Sequence, residues 1–247
     1  MTEVENITPF HNDTRAKAPQ VRDMFDSIAP AYDVMNRLMT LGIDALWRRK
    51  AVRIMRRREP RTILDVATGT GDLALLMARK MDPLSVTAID LSPGMLEIGR
   101  RKAARADLGD IISFTLGDSL QMPLHDHSFD CVSAAFGVRN FEDILAGYCE
   151  MYRVLRPGGM LCVLELSTPP GRFVRPLYDF YTRRIIPFIG RLISRDRDAY
   201  TYLPRSIAAV PARADMTAIM EQAGFVRATY KPLTFGVCTL YTAFKPA

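Results

Sequence analysis

The stretch Ile63-Leu64-Asp65-Val66-Ala67-Thr68-Gly69-Thr70-Gly71-Asp72 determines which fold we expect for this chain. It reads as a hydrophobic strand that runs into a turn with two glycines and then directly into a helix. Glycine lets the backbone approach a ligand closely, and a helix N-terminus offers free N–H groups. The stretch therefore predicts a ligand-binding turn. Alone it does not identify the ligand, because nicotinamide-dependent enzymes use a similar turn and tolerate an alanine such as Ala74 at its last position.

Two carboxylates beyond this turn narrow the expected ligand to an adenosine. Asp90 ends the second predicted strand, where its carboxylate can accept hydrogen bonds from both ribose hydroxyls. Gly117-Asp118-Ser119 ends the third strand, where a carboxylate can accept a bond from the adenine amino group. The carboxyl ends of parallel strands meet at one edge of a sheet, so we expect these groups to surround one adenosine.

Apolar strands alternate with helices along most of the chain, which predicts an α/β fold with a buried parallel sheet. The first five predicted strands cover residues 62–68, 85–90, 111–118, 129–136 and 160–167. The helices between them are predicted near residues 71–80, 93–106 and 141–155. Two final strands, 225–233 and 238–246, are joined by a link too short for a helical crossover, so they must be antiparallel. The expected fold is a Rossmann-like sheet of seven strands, the last one antiparallel.

Three regions are expected along the chain. Residues 1–17 are polar and predict a flexible tail. Residues 18–60 predict an N-terminal helical cap that includes a long helix over 30–58. Residues 61–247 predict the α/β domain, and an arginine- and aromatic-rich stretch at about 172–207 is expected to form a helical insertion within it.

The composition is typical of a soluble globular protein. Of the 247 residues, 48% are hydrophobic and 24% are charged, and no apolar run reaches the roughly 18 residues of a membrane-spanning helix. No secretory signal is apparent, so we expect a cytoplasmic protein. The four cysteines lack the close spacing of a disulfide framework or a zinc site. The net charge is +6, and basic clusters at 48–61 and 172–205 are either solvated helix faces or surfaces for nucleic acid or phospholipid.

The glycines and carboxylates together resemble the class I methyltransferases that use S-adenosylmethionine (SAM). The matching residues are Asp65, Gly69-Thr70-Gly71, Asp90, Asp118, Phe129-Asp130 and Arg156-Pro157-Gly158-Gly159. Ala67 departs from the pattern, because many members have a third glycine there. The resemblance implies SAM as the methyl donor, without a metal. The cofactor-binding residues that it implies are Asp65, Gly69, Thr70, Gly71, Asp90, Leu91, Asp118, Ser119 and Ala135.

Further segments resemble the ubiquinone/menaquinone biosynthesis C-methyltransferases, and the likeness covers about residues 20–245. The segments are 32–47, 136–141, 151–167 and 196–203. Thr40, Asp44 and Ala135 depart from the family pattern, which often has serine, histidine and serine at these positions. Any role of that histidine therefore does not carry over to this chain.

This resemblance implies methylation of a ring carbon on a polyprenylated quinol. The reduced ring is required, because loss of a phenolic proton pushes charge onto the ortho carbon, whereas a quinone is electron-poor. Gly42-Ile43-Asp44 and the stretch 234–241 favour the menaquinone branch and hence demethylmenaquinol, with the ubiquinone pathway as the alternative. The insertion is expected either to cover the quinol and touch lipid headgroups at the inner face of the cell membrane, or to pack as a helical hairpin on the edge of the sheet, and the two are compatible. Prenyl length and oligomeric state stay open, a homo-oligomer included.

Arg139, Asn140 and Tyr32 are the catalytic candidates, with Asp33 beside Tyr32. Arg139 and Asn140 follow the fourth strand, at the lip of the sheet where the methyl donor is expected. Arg139 could stabilise a developing phenolate or orient a water that accepts the proton, but arginine stays protonated and is no free base. The alternatives are an arginine that only bonds loop carbonyls and a tyrosine at the edge of the core.

Three rival functions are weaker. Another small-molecule acceptor on the same fold conflicts with the family-like segments. A nucleic-acid binder or RNA methyltransferase would use the basic clusters, but the chain lacks an Asn-Pro-Pro-Tyr-type motif and any RNA module, so no nucleic-acid partner is expected. A nicotinamide-dependent dehydrogenase would bind NADH instead of SAM. His125 and His127 supply only two metal ligands in an apparent surface turn, so no metal is expected.

Overall fold

A computed structural model describes residues 2–10, 12–171, 174–185 and 197–247. One sheet organises them, with strands β1 Thr62–Val66, β2 Ser85–Asp90, β3 Ile112–Leu116, β4 Phe129–Ala135, β5 Leu155–Leu166, β6 Val226–Leu233 and β7 Cys238–Phe244. Their order is β3-β2-β1-β4-β5-β7-β6. The first five pair in parallel, whereas β7 runs antiparallel to both β5 and β6. The Rossmann-like sheet predicted from the sequence is confirmed.

Helices cover both faces of this sheet. They are α1 Lys17–Ile28, α2 Tyr32–Met39, α3 Asp44–Arg56, α4 Asp72–Met81, α5 Pro93–Ala104, α6 Ile144–Val154, α7 Val174–Phe180, α8 Arg197–Ala209 and α9 Ala214–Gln222. Alternate residues of β1 point to opposite faces: Ile63 packs with α3 and α4, and Leu64 packs with α6 and α9. Both faces of β1 are therefore buried, and only its carboxyl end is free to meet a ligand.

The long helix expected over residues 30–58 is broken. Leu41 and Gly42 adopt left-handed backbone with φ of 52° and 73°, and the Gly42 N–H donates to the Arg37 carbonyl at 2.9 Å. Such a closure ends a helix, so α2 and α3 meet at an angle that a continuous helix would not permit. The cap can therefore bend over the end of the sheet.

The N-terminal segment is packed where the sequence predicts a flexible tail. Val4, in a short 3-10 helix over Glu3–Asn6, is completely buried. The Glu5 carboxylate accepts a hydrogen bond from the N–H of Ile144 at 2.9 Å, and the buried ammonium of Lys17 donates to the Val4 carbonyl at 2.7 Å. The polar side chains of this segment thus hydrogen-bond to backbone groups. Polarity alone does not reveal such contacts, which is why the sequence suggests a tail.

The insertion expected at about 172–207 is helical in its described parts. α7 continues into a π-helical turn over Tyr181–Ile185, and α8 follows. The Tyr181 hydroxyl donates to the carbonyl of Met39 at 3.2 Å, which ties the insertion to the cap. Arg172, Phe173, the stretch 186–196 and His11 lie outside the described residues. None of the described helices is long and apolar enough to cross a membrane.

β6 lies at one edge of the sheet. All of its residues are at least partly exposed except Leu233 at its end. Its pairing with β7 shifts register between Val226 and Thr229, and Arg227 within that shift has a left-handed φ of 53°. The edge strand is therefore bulged and polar.

Candidate functional site

A cavity of about 950 Å³, including space open to solvent, lies at the carboxyl ends of β1, β2 and β4, beneath α1 and α2. Most of the site residues predicted from the sequence line it. These are Tyr32, Asp65, Gly69, Thr70, Asp90, Leu91, Asp118, Ser119, Ala135 and Asn140. The topology explains this convergence, because ligands of open α/β sheets bind where the strand order reverses, here between β1 and β4.

Asp90 is held by the turn that follows β1. One carboxylate oxygen accepts the N–H of Gly69 at 2.7 Å, and the other accepts the N–H of Ser92 at 2.9 Å. Gly69 has a φ of 58°, which glycine adopts at no steric cost. Burial raises the pKa of Asp90, and the backbone N–H bonds counter that rise. Its carboxylate is thus fixed at the cavity wall, as a ribose-binding group must be.

The expected adenine end of the cavity is formed by the turn after β3. The Asp118 carboxylate accepts the N–H of Leu120 at 2.9 Å, and Ser119 is buried beside it. Gly117 precedes them and packs closely against Ile89. A Cβ at position 117 would lie 2.7 Å from Cδ1 of Ile89. These residues fit an adenosine that spans from Asp90 to Asp118.

Asp65 is the most deeply buried acid of the cavity. It is 1% exposed and accepts hydrogen bonds from the hydroxyls of Thr68 and Ser133, both at 2.7 Å. Burial raises the pKa of Asp65 to about 6, and the two hydroxyl bonds oppose that rise. A cationic group of a ligand would stabilise its charged form.

Gly71 shapes the site without lining it. It has a φ of 80° and caps α4, and a Cβ there would lie 3.0 Å from Cε1 of Phe114. Thr70 donates its hydroxyl to Asp33 at 2.6 Å, and Asp33 also accepts from the ammonium of Lys102 at 3.0 Å. Asp33, named beside Tyr32 in the sequence analysis, therefore anchors the cap to the turn and is not among the residues that line the cavity.

Arg139 lies behind the cavity wall. Its guanidinium donates to Glu165 at 2.9 Å and to the carbonyl of Phe136, and both members of the ion pair are buried. The same carboxylate accepts the backbone N–H of Arg139 at 3.1 Å. The side chain thus makes the contacts expected of a structural arginine, while its Nε is buried without a hydrogen-bond partner among the described residues.

Asn140 and Tyr32 face the cavity itself. The hydroxyl of Tyr202, from α8, donates to Oδ1 of Asn140 at 3.1 Å. The Tyr32 ring stands over the glycine turn, since a Cβ on Gly69 would lie 3.8 Å from its Cε1. Burial raises the pKa of Tyr32, whereas a hydrogen bond to Asn36 and the charge of Arg139 lower it. The phenol therefore lies within the field of a buried cation.

Two residues of the site were missed in the sequence. Arg48 lines the cavity but stands in the basic cluster 48–61, where charge counting treats it as one of many surface cations. Glu165 holds Arg139, and its one sequence signal is an acid in the otherwise apolar run 160–167. Away from the cavity, His127 contacts the ammonium of Lys245 at 3.1 Å. Across the described part of the chain, no three His, Cys, Asp or Glu side chains are grouped to hold a metal ion.

Sequence comparisons identify close relatives. A family model described as the ubiE/COQ5 methyltransferase family matches residues 13–245. A demethylmenaquinone methyltransferase of Bacteroides fragilis is 44% identical over 98% of this chain and 98% of its own length. One of Porphyromonas gingivalis is 45% identical over 99% of this chain and 100% of its own. A ubiquinone/menaquinone biosynthesis C-methyltransferase UbiE of Geobacter sulfurreducens is 43% identical over 93% of this chain and 90% of its own.

Solved structures with the same fold are more distant in sequence. A SAM-dependent methyltransferase of Thermotoga maritima, described as a possible histamine N-methyltransferase, superposes with a TM-score of 0.63 at 18% identity over 91% of this chain and 99% of its own. A putative methyltransferase of Haloferax volcanii, solved with the Trm112 activator, gives 0.64 at 19% identity over 90% and 98%. At this identity the likeness shows the fold alone.

Proposed function

The chain belongs to the ubiE/COQ5 methyltransferase family, and from that membership we propose that it transfers a methyl group from SAM to a ring carbon of demethylmenaquinol. The observation that carries the proposal is the Asp90 carboxylate, fixed by the glycine turn in a cavity whose other end is closed by Asp118. That pair of carboxylates fits the adenosine of SAM. The choice of acceptor follows from the relatives, which are named demethylmenaquinone methyltransferases.

The acceptor must be reduced for this reaction. Bound SAM supplies an electrophilic methyl group, so the ring carbon must be electron-rich. A hydroquinone that loses a phenolic proton carries negative charge at the ortho carbon, and a positive potential stabilises that charge. The cavity therefore has to favour a phenolate and exclude water from it.

Arg139 supplies this potential from behind the wall. Its charge lowers the pKa of three tyrosines against the rise that burial causes: Tyr32, Tyr178 and Tyr202. Of these three, Tyr32 lines the cavity, so the charge of Arg139 would also favour a phenolate of the substrate there. The paired Glu165 carboxylate, which raises the pKa of Tyr202, opposes this effect. We assign contact with the acceptor to Asn140 and Tyr32, which line the cavity, and electrostatic stabilisation to Arg139.

The donor site is tested by removal of one carboxylate. Asp90→Ala should abolish SAM binding in calorimetry, because it removes the ribose acceptor and the partner of two backbone N–H groups. The matched control is Asp110→Ala, an exposed aspartate that is not among the cavity-lining residues. Unchanged SAM affinity in the Asp90 variant would overturn the donor site.

The acceptor is tested by its redox state. Labelled SAM should methylate a demethylated naphthoquinone only when a reductant converts the quinone to the quinol. A ubiquinone precursor, reduced and assayed in parallel, shows which of the two rings the enzyme methylates. Equal turnover with and without reductant would contradict the mechanism.

We also propose that the cap and the insertion contact the membrane that holds the prenyl chain. Large apolar side chains are exposed on α2, on the turn that ends it and on α7, and the bond between Tyr181 and Met39 ties these parts together. They are Val34, Leu38, Leu41, Leu177 and Phe180. We call these five residues the apolar rim. Apolar residues mixed with arginines are typical of surfaces that insert at the interface of a bilayer.

A further inference from the structure

Arg48 is a buried cation for which the proposed chemistry has no use. It stands on α3, is 8% exposed and lines the cavity. One guanidinium nitrogen pairs with Asp44, another lies 3.9 Å from the carboxylate of Asp72, and its Nε is buried without a partner among the described residues. The nitrogen near Asp72 is too far from it for a hydrogen bond and makes none among the described residues, so this part of a guanidinium that lines the cavity is left to donate to a ligand.

The guanidinium is held in place from several sides. Asp44 accepts a second bond from the hydroxyl of Thr40 at 2.7 Å, which fixes the carboxylate that pairs with Arg48. The guanidinium carbon lies 5.3 Å from the ring centroid of Phe136, another cavity residue. Asp44, where the family pattern often has histidine, therefore acts in this chain as a positioning residue for Arg48.

Other cations near the cavity are already engaged. The Lys102 ammonium binds Asp33, Thr70 and Asp72 and is not among the lining residues. Arg22 lines the cavity from α1 but is half-exposed and pairs with Asp23 at 3.0 Å. Arg48 is thus the best placed of them to bind an anion inside the cavity.

The expected position of adenosine indicates which anion. With adenine at Asp118 and ribose at Asp90, the rest of the donor leaves Asp90 on the side of the glycine turn, where Asp65 and Arg48 stand. An amino-acid group is a zwitterion, with one carboxylate and one ammonium. The buried pair Asp65 and Arg48 presents the complementary charges, and the two are close enough for the charge of Arg48 to act on Asp65.

We propose that Arg48 binds the α-carboxylate of the methionine half of SAM, with the α-ammonium facing Asp65. The inference rests on the proposed function, since it takes SAM as the donor. It adds a specificity-determining residue: Arg48 distinguishes a nucleoside that carries an amino acid from one that does not. Arginine suits this task because its planar fork donates two parallel bonds to a carboxylate.

The test compares ligands as well as variants, by calorimetry on the full chain. The ligands are S-adenosylhomocysteine, its decarboxylated analogue and 5′-methylthioadenosine, which lacks the whole amino-acid group. Arg48→Met should weaken binding of S-adenosylhomocysteine by about 10- to 100-fold, as for loss of a charge-assisted bond, and leave the other two within about 2-fold. Arg48→Lys should recover part of the loss. The control is Arg49→Met, an exposed neighbour.

Each outcome has a distinct meaning. Retained binding of 5′-methylthioadenosine shows that the Arg48→Met cavity is folded. Should the variant fold poorly, wild-type protein still decides, because it must prefer S-adenosylhomocysteine to the decarboxylated analogue. Equal wild-type affinity for those two ligands, or equal weakening of all three in Arg48→Met, overturns the role of Arg48 and leaves the proposed function standing. Wild-type protein that binds neither SAM nor S-adenosylhomocysteine would overturn the proposed function itself.

Discussion

Arg139 and Glu165 illustrate how one residue can serve both stability and chemistry. Arg139→Ala leaves the Glu165 carboxylate buried without its cation, and such a loss costs about 3–5 kcal/mol in the free energy of unfolding. If Arg139 also stabilises the phenolate, single-turnover methyl transfer by the folded variant should fall by about 100-fold or more while SAM affinity holds. Denaturation and single turnover on one preparation separate these effects. A destabilised variant with normal turnover would remove Arg139 from the mechanism.

Asp65 makes the affinity for the donor depend on pH. Its pKa is raised to about 6, from about 3.9 in an unfolded chain, so between these values the folded ligand-free protein binds the proton more tightly. The free energy of unfolding should therefore fall as pH rises through that window. Binding of S-adenosylhomocysteine should weaken as pH drops from 7 to 5, because neutral Asp65 cannot face an ammonium. Asp65→Asn should flatten this profile in calorimetry, and a flat wild-type profile would contradict the assignment.

At the residue scale, the predictable part of the site is the part that local sequence encodes. Asp90 ends β2 just before a helix start, and Asp118 follows the end of β3 beside a glycine, so position alone indicates a ligand. The partners of Arg139 could not be predicted in this way, because Glu165 lies on another strand and only the folded sheet brings them together. Arg48 was hidden for a related reason, since burial of one member of a basic cluster depends on tertiary packing.

At the level of elements, the loops after β1 and β4 touch where Gly137 meets Ala67. Ala67 has a left-handed φ of 51°, and a Cβ on Gly137 would lie 2.5 Å from its Cβ. Gly137→Ala should therefore lower the free energy of unfolding by about 1–3 kcal/mol. Adding Ala67→Gly should recover most of that loss, because the next atom, the carbonyl oxygen of residue 67, is 3.6 Å away and a strained φ is relieved.

A thermal denaturation cycle on the two single variants and the double variant measures this coupling. Gly109→Ala is the control, since a Cβ there meets nothing within 4 Å. Additive effects of the two changes would mean that the loops do not contact as described.

Elements in which apolar residues recur with a clear period were predictable from the sequence. Elements that depend on tertiary contacts were not. All seven strands and the antiparallel pair follow from apolar runs and link lengths. The break between α2 and α3 was not expected, because the apolar residues of the cap keep helical spacing across it. The 3-10 helix at Glu3–Asn6 was missed because one buried valine among polar residues carries no period.

The molecule as a whole is basic, and the apolar rim marks the face that we expect to contact an anionic membrane. With a net charge of +6, the chain should bind vesicles that contain anionic lipid, and 1 M salt should weaken binding because it screens charge beyond about 3 Å. The double variant Leu38→Glu/Leu41→Glu should lose binding in flotation assays. Leu84→Glu is the control, because this leucine at the amino end of β2 is 64% exposed, between Leu38 at 42% and Leu41 at 75%. Undiminished binding by the double variant would exclude the rim as the contact.

The edge strand β6 also bears on the behaviour of this protein in concentrated solution. An open strand edge offers unpaired N–H and C=O groups to any other chain, and extended pairing of that kind leads to aggregation. Here Lys231 is charged, Pro232 has no N–H to donate, and the bulge at Arg227 bends the strand away from a flat partner. These three residues act as gatekeepers. We expect a chain with valine and threonine in place of Lys231 and Pro232 to keep its cavity and to aggregate more readily as its concentration rises.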